Sequence, residues 1–347
     1  MPFLKSPLEI YWVLTNKCNI DCTFCFMDAE KYHGEFELTS EEREFILHEI
    51  IDNQVLKVIL TGGEPLLIPE IFHYIQSLSE KNIWVELTTN GIRLTRNKIS
   101  RLKGCGLKTI QLSINGSYAS LNDSLMGRSF DRIVRVSEML LQEDFNLHYK
   151  VTVTRQNIRD VPNILRLARK IGVQETTLDE IAPIGRGFKN YFYLKPRRED
   201  LLWLKKELQK LIDEQIYETE LDSFTLDLEE DGHGPICALG DDDIYSAQIF
   251  QYGDLYQCTM SSIWPIKNSV LEKGLAKAWQ DLKWITNEFT KQDKLTGFCK
   301  TCGECGGGCR PLAYLATGDI WGDFIFCENW KMNNSTNANH NKLKVIQ

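Results

Sequence analysis

From residue 8 to about 184, short apolar runs alternate with stretches whose apolar residues recur three and four positions apart. The runs are LEIYWVL (8–14), VLKVILTG (55–62), NIWVELTTN (82–90), LKTIQLSIN (107–115), LHYKVTVT (147–154) and QETTLDEIA (174–182). Each has strand length and is bounded by turn-forming residues. The segments between them, such as EEREFILHEII and VPNILRLARKI, place their apolar residues along one helix face. Thr39 or Ser40, followed by Glu41 and Glu42, predicts a helix start. Six strands alternating with helices imply right-handed crossovers and a parallel sheet. The expected fold class is therefore α/β, a partial (β/α)6 barrel, although periodicity alone does not separate it from an open doubly wound sheet.

The pattern changes after Arg186-Gly187. Residues 197–217 read as one helix. Beyond it lies an irregular C-terminal stretch with seven cysteines, many glycines and little helical period, which something other than a hydrophobic core is expected to organise. The expected division is a core domain over 1–190, a linker helix over 191–220, the irregular domain over 221–331 and a polar tail over 332–347.

Composition narrows this picture. The chain has 347 residues, 43% hydrophobic and 25% charged, enough for about two domains. No run of about 18 apolar residues predicts a membrane span, and MPFLKSPLEI lacks the apolar core of a signal peptide. A reducing, cytoplasmic setting is expected, where cysteine clusters are more often metal-binding or catalytic than disulfide-bonded. The net charge of −8 offers no electropositive field for nucleic acid. Short basic clusters such as KPRRED are flanked by acids and read as solvated helix faces.

Chemistry concentrates first in TNKCNIDCTFCFM (15–27), which places Cys18, Cys22 and Cys25 at spacings of three and two. A structural zinc site wants four ligands, usually as two close pairs. Here three cysteines cluster, and the nearest histidine, His33, lies eight residues beyond Cys25. Three thiolates can instead hold a [4Fe–4S] cluster by three irons and leave the fourth open. The loop follows the first strand, at the carboxyl end of the sheet where barrel active sites sit. Spacing and location favour a cluster, with zinc and structural thiols still open.

The arrangement C-x3-C-x2-C after a first strand, with Phe24 just before the last cysteine, resembles the signature of radical S-adenosylmethionine (SAM) enzymes. The resemblance implies that Cys18, Cys22 and Cys25 hold a [4Fe–4S] cluster whose open iron is chelated by SAM. TGGEP (61–65) ends the second run, where glycines allow close backbone approach. It resembles the family's GGE motif, which implies SAM contacts at Gly62, Gly63 and Glu64, the carboxylate meeting the SAM ammonium. An ordinary strand-to-helix turn is the plainer reading of the same residues. TTNG (88–91) resembles the next SAM-contacting turn and implies Thr88 and Asn90. LSING (112–116) is similar to the family's LSxDG segment, implying Ser113 and Asn115, with Asn where Asp is usual. Arg128 resembles an arginine that pairs with the SAM carboxylate, and Ala182 in APIGRG a residue bordering the adenine.

The second cysteine group reads Cys237, Gly253 and Cys258 as C-x15-G-x4-C, then Cys299, Cys302, Cys305 and Cys309, and finally Cys327. It resembles the SPASM extension of radical SAM enzymes, which holds two auxiliary [4Fe–4S] clusters. The chain departs from that pattern once: two residues, not five, separate Cys302 from Cys305. The compressed run has ferredoxin spacing, in which the fourth cysteine reaches the other cluster. The resemblance implies Cys237, Cys258 and Cys309 on the first auxiliary cluster, and Cys299, Cys302, Cys305 and Cys327 on the second. Zinc ribbons are the alternative. Gly306–Gly308 are expected to turn the backbone tightly, and Cys105 is expected to be a structural thiol.

The resemblance implies a redox enzyme that abstracts hydrogen with a 5′-deoxyadenosyl radical. Family members with SPASM domains most often modify peptides by cross-links or thioethers; dehydrogenation, epimerisation or decarboxylation of a small molecule, of sugar or tetrapyrrole type, is the alternative. Thr259 follows Cys258 where sulfatase maturases carry an Asp, so that activity is not expected. No leader-binding domain is expected ahead of the first strand, so a separate peptide-recognition protein is a candidate partner. An external electron donor of flavodoxin or ferredoxin type is expected; nucleic acid and membrane partners are not.

Overall fold

The computed structural model describes residues 4–29, 37–216, 245–263, 266–289, 291–302, 306–325 and 327. Two compact units divide the chain, one of residues 8–228 with 249–253, the other of 1–7, 229–248 and 254–347.

In the first unit six parallel strands form one sheet in the order β6-β5-β4-β3-β2-β1. They are β1 (Glu9–Val13), β2 (Lys57–Thr61), β3 (Trp84–Thr89), β4 (Thr109–Ser113), β5 (Asn146–Val153) and β6 (Glu175–Glu180). Each expected run supplies one strand, and sequential pairing gives the curved sheet of a partial barrel. One face of the sheet is apolar and fully covered: Ile10, Trp12, Val58, Leu60, Leu87, Ile110, Leu112, Tyr149 and Val151 are all buried. Helices α1 (Ser40–Asp52), α2 (Ile71–Glu80), α3 (Arg96–Gly104), α4 (Ala119–Met126), α5 (Phe130–Gln142) and α6 (Val161–Ile171) make the crossovers. Tyr74 of α2 packs its ring against Trp12 at a tilt of 36°, centroids 5.2 Å apart, and Ser137 of α5 meets the Tyr149 hydroxyl at 2.8 Å.

Thr39 is the N-cap of α1, in a capping box completed by Glu42. Two short helices, α7 (Gly185–Lys189) and α8 (Tyr191–Leu194), follow β6. Next comes α9 (Arg198–Asp213), which belongs to this unit: Leu201, Leu204, Leu208 and Leu211 are buried along one stripe. Each leucine so buried contributes about 1.5–3 kcal/mol.

The opposite face of the sheet is polar. Lys57 lies 3.2 Å from Glu9 and 3.3 Å from Glu86, and Lys150 pairs with Asp179 at 2.5 Å. Tyr11 is pushed well above the usual phenol range by burial and by Glu9 and Glu86 beside it.

The second unit contains all but the last residue of β7 (Ser246–Ile249), then β8 (Leu255–Tyr256), α10 (Val270–Lys273), α11 (Leu275–Phe289), α12 (Gly297–Cys302) and α13 (Arg310–Thr317). Here the structure corrects the expectation of little helical period. Leu275, Ala278, Trp279, Leu282 and Ile285 are buried at spacings of three and four, the stripe of an amphipathic helix. Residues 217–244, including Cys237, lie outside the described residues, as do Cys305 and the expected tail. No helix among the described residues is long and apolar enough to cross a membrane.

Candidate functional site

Parallel strands end on the same edge of their sheet, so the segments after β1, β2, β3, β4 and β6 converge there. After β1 comes the cysteine loop. Cys18, Cys22 and Cys25 are half-buried, and none of the nine described cysteines lies in a disulfide. Burial pushes the Cys18 thiol above its usual range, with Glu64 and Cys25 adding to it. Burial does the same to Cys22, reinforced by Cys25 and Cys18 and opposed by Arg186. The three thiols therefore sit within reach of one another's charge.

The turn after β2 lies directly on this loop. Gly63 N donates to Thr15 O and Glu64 N to Lys17 O, both at 2.8 Å. A Cβ at Gly63 would overlap the Lys17 carbonyl, and one at Gly62 would stand 2.6 Å from the Thr15 carbonyl. The glycines thus serve close approach of backbone to backbone inside the protein.

Glu64 is fully buried. Its Oε1 accepts from Leu66 N (3.1 Å) and Thr89 Oγ1 (2.7 Å), its Oε2 from Asn90 N (2.9 Å). Glu64 also caps the turn after β2: it is the N-cap of the short 3₁₀ turn Pro65–Leu67, and its side chain takes the Leu66 amide. Burial pushes the Glu64 carboxyl up, and the three donors oppose that push.

Asn90 connects the turn after β3 to the cysteine loop. Its Nδ2 donates to Asn19 Oδ1 at 2.8 Å and lies 3.9 Å from Cys18 Sγ. Thr88 Oγ1 donates to Gln111 Oε1 at 3.2 Å. Ser113 is half-buried at the end of β4. Asn115 is fully buried and engaged by the protein itself. Its Oδ1 accepts from Thr152 N (2.7 Å), and its Nδ2 points at Met126 Sδ (2.9 Å). Asn at this position supplies both an acceptor and a donor, which an ionised Asp does not.

Arg128 is exposed; its charge acts on Asp123. Thr23 N bonds the Leu125 carbonyl (2.9 Å), so the end of α4 rests on the cysteine loop. Phe24 and Ala182 are half-buried, and the Phe24 and Ala182 carbonyls both crowd Gly187. The APIGRG segment, expected beside an adenine, packs against the cysteine loop: Arg186 Nε donates to the Cys22 carbonyl at 2.9 Å.

Two residues with roles here are not singled out by the sequence. Arg186 lies in APIGRG, where the resemblance implies only Ala182. Glu37 lies in no motif: its Oε1 accepts from Thr15 Oγ1 (2.5 Å) and Asn16 N (2.8 Å), with Arg43 3.8 Å from its Oε2. Only their distant partners reveal them.

In the second unit Cys299 and Cys327 are buried, while Cys258, Cys302 and Cys309 are half-buried. Cys258 Sγ lies 3.2 Å from Ser261 Oγ, and burial raises its thiol. Cys299 Sγ accepts from Phe324 N at 3.2 Å. Gly306, Gly307 and Gly308 have φ of +61°, +91° and +63°, a left-handed run that glycine alone adopts readily. Arg310 is buried and donates to the Ile320 (3.1 Å) and Gly322 (2.9 Å) carbonyls. Cys105 is half-buried at the C-terminal end of α3.

Among the described residues, no three His, Cys, Asp or Glu side chains gather closely enough to hold one metal ion. Cluster thiolates each take a different iron and so stand wider apart than the ligands of a single ion. Soft thiolates are also the donors that iron–sulfur clusters require. The donor set of the first loop fits that group.

Residues 12–168 match the family model described as Radical SAM superfamily. The AdoMet-dependent heme synthase of Methanosarcina barkeri is 24% identical over 343 residues, covering 93% of this chain and 97% of that protein. Mycofactocin maturase MftC of Mycolicibacterium smegmatis is 27% identical over 324 residues, covering 90% of this chain and 80% of that protein. The crystal structure of Streptococcus suis SuiB bound to S-adenosylmethionine superposes with a TM-score of 0.73 at 20% identity, covering 94% of this chain and 78% of that one.

Proposed function

Residues 12–168 are a Radical SAM domain, and from that premise we propose that this radical SAM enzyme modifies a peptide by hydrogen abstraction. The observation that carries the reading is the convergence on one loop. Asn90 ties Cys18 to the turn after β3, and Gly63 and Glu64 tie the turn after β2 to residues 15–17. When bound, a [4Fe–4S] cluster of this family supplies the electron that cleaves SAM to methionine and a 5′-deoxyadenosyl radical. Cys18, Cys22 and Cys25 would hold it. Gly62, Gly63, Thr88, Asn90 and Ser113 would border SAM, with Phe24, Arg128 and Ala182 at its margins. Glu64 and Asn115 would shape the site from beneath, because their side chains already bond protein groups.

The polar face of the sheet offers hydrogen-bonding groups suited to a peptide. Lys150 stands beside Ser113 in register and pairs with Asp179. In the second unit Cys237, Cys258 and Cys309 would hold one auxiliary cluster, and Cys299, Cys302, Cys305 and Cys327 the other, as in SPASM domains. A separate peptide-recognition protein and a flavodoxin- or ferredoxin-type electron donor belong to the same reading, as does a cytoplasmic setting.

The near end-to-end match to the heme synthase favours a second reading, a tetrapyrrole substrate. Anaerobic reconstitution tests the cluster content: about 12 irons per chain are expected for three [4Fe–4S] clusters. Iron near four, or stoichiometric zinc, overturns the auxiliary part. Saturable binding of a carboxylated porphyrin, followed by difference absorption, would move the substrate reading from peptide to tetrapyrrole.

A further inference from the structure

We infer that Arg186 is a positioning residue that sets the cysteine loop in shape before any metal arrives. The inference rests on the reading that Cys18, Cys22 and Cys25 are cluster ligands. Arg186 stands on α7, and its guanidinium reaches the loop on both sides of Cys25. Nε donates to the Cys22 carbonyl at 2.9 Å; Nη1 donates to the Ala29 carbonyl at 2.7 Å and lies 3.3 Å from Asp28 Oδ1. A planar fork meets separated acceptors in this way, whereas an ammonium meets them as a single point.

The surrounding segment strengthens the grip. Gly187 N donates to the Cys25 carbonyl (3.3 Å), Asn190 Nδ2 to the Thr23 carbonyl (2.8 Å), and Lys189 pairs with Asp28 (2.5 Å). Asp28 itself has φ of +48°, an uncommon conformation for a residue with a side chain, which such bonds hold in place.

The loop needs holding from outside. Between Cys18 and Ala29 only Ile20 and Ala29 are buried, so hydrophobic burial contributes little to its shape. Its internal bonds are few and long, Cys25 N to Cys22 O at 3.3 Å and Asp28 N to Cys25 O at 3.4 Å. Arg186 also places a fixed positive charge beside the segment where negative thiolates must gather.

The test is hydrogen exchange on the full-length, iron-free chain, comparing wild type with Arg186→Gln, Arg186→Lys and, as a comparison on the same helix, Lys189→Gln. Wild-type amides within 22–29 should be protected without iron. Arg186→Gln should speed their exchange roughly 10- to 100-fold, the effect of losing charge-assisted hydrogen bonds, with Arg186→Lys between; Lys189→Gln loses only a solvent-exposed pair to Asp28 and should stay within about threefold of wild type. Amides of β4 and β5 should not change. After reconstitution, Arg186→Gln should load iron more slowly, and the midpoint potential of this cluster should move negative because a cation beside its thiolates is gone.

Unprotected 22–29 amides in the iron-free wild type would overturn the inference, because the loop would then take shape only around metal. So would exchange in Arg186→Gln equal to wild type. If Arg186→Gln also loses protection in β4 and β5, Arg186→Lys carries the test, and wild-type protection in it removes the role of the fork. Failure of the ligand reading looks different: the wild-type loop is protected, yet Cys18, Cys22 and Cys25 take up no iron.

Discussion

Glu64 turns its carboxylate inward, and that fixes what its replacement should do. Three protein donors converge on its two oxygens. Glu64→Gln keeps the shape but sets an NH2 against one of those donors, leaving a buried hydrogen-bonding group without a partner. Stability should fall by about 1–3 kcal/mol, read as a lower urea midpoint of the iron-free chain. An unchanged midpoint would remove the carboxylate from the framework. The GGE motif made Glu64 visible in the sequence, but not its partners, because Thr89 and Asn90 lie one strand further on. TTNG likewise pointed to Asn90, though its link to Cys18 spans 72 residues. Glu37 sits in no motif, and Arg186 lies in APIGRG, where the resemblance pointed only to Ala182; both act through carbonyls, amides or hydroxyls that any sequence supplies. Such residues become legible only once the chain is folded.

At the level of elements, strand alternation and helical period carried most of the first unit, since one covered face forces that pattern. The stripe on α11 was equally present in its residues; the cysteines and glycines around it drew the region toward an irregular reading. Helix ends were only partly legible. Thr39 announced its capping box, but α5 has Ser129 at its N-cap with no side-chain bond there. Asp123 serves instead, its Oδ1 accepting from Ser129 N (3.0 Å) and Phe130 N (2.9 Å). Burial pushes its carboxyl up, but these two amides, with the Asn122 side chain and the Arg128 charge, together outweigh burial and hold it below the usual range. A depressed carboxyl stabilises above its unfolded pKa and loses that contribution as pH falls through the folded one. Asp123→Ala should therefore cost about 1 kcal/mol near neutral pH. In thermal unfolding at several pH values, its gap to wild type should close in acid; a gap independent of pH would refute the assignment. Gly63→Ala tests another joint. Its methyl group has no room against the Lys17 carbonyl, so the cysteine loop must shift. Iron should fall from about 12 to about 8 per chain, while far-UV circular dichroism stays near wild type. Full iron content would show that the loop tolerates the displacement.

On the scale of the whole molecule, the cysteines divide between two compact units. Replacing Cys18, Cys22 and Cys25 together by Ala should abolish 5′-deoxyadenosine formation and leave about 8 irons in the distal unit. Formation of 5′-deoxyadenosine by that variant under reduction would refute the assignment of the first loop. The bond from Arg186 to the Cys22 carbonyl joins residues 164 apart in the chain. A ribosome adds about 5–20 residues per second, so roughly 8 to 33 s pass between synthesis of the two. For that interval the nascent loop emerges without its clasp, its thiols open to oxygen and to whichever metal is most abundant. Correct loading thus becomes a race against translation, and slowing the ribosome within the codons before Arg186 would lengthen the exposure without altering a single residue.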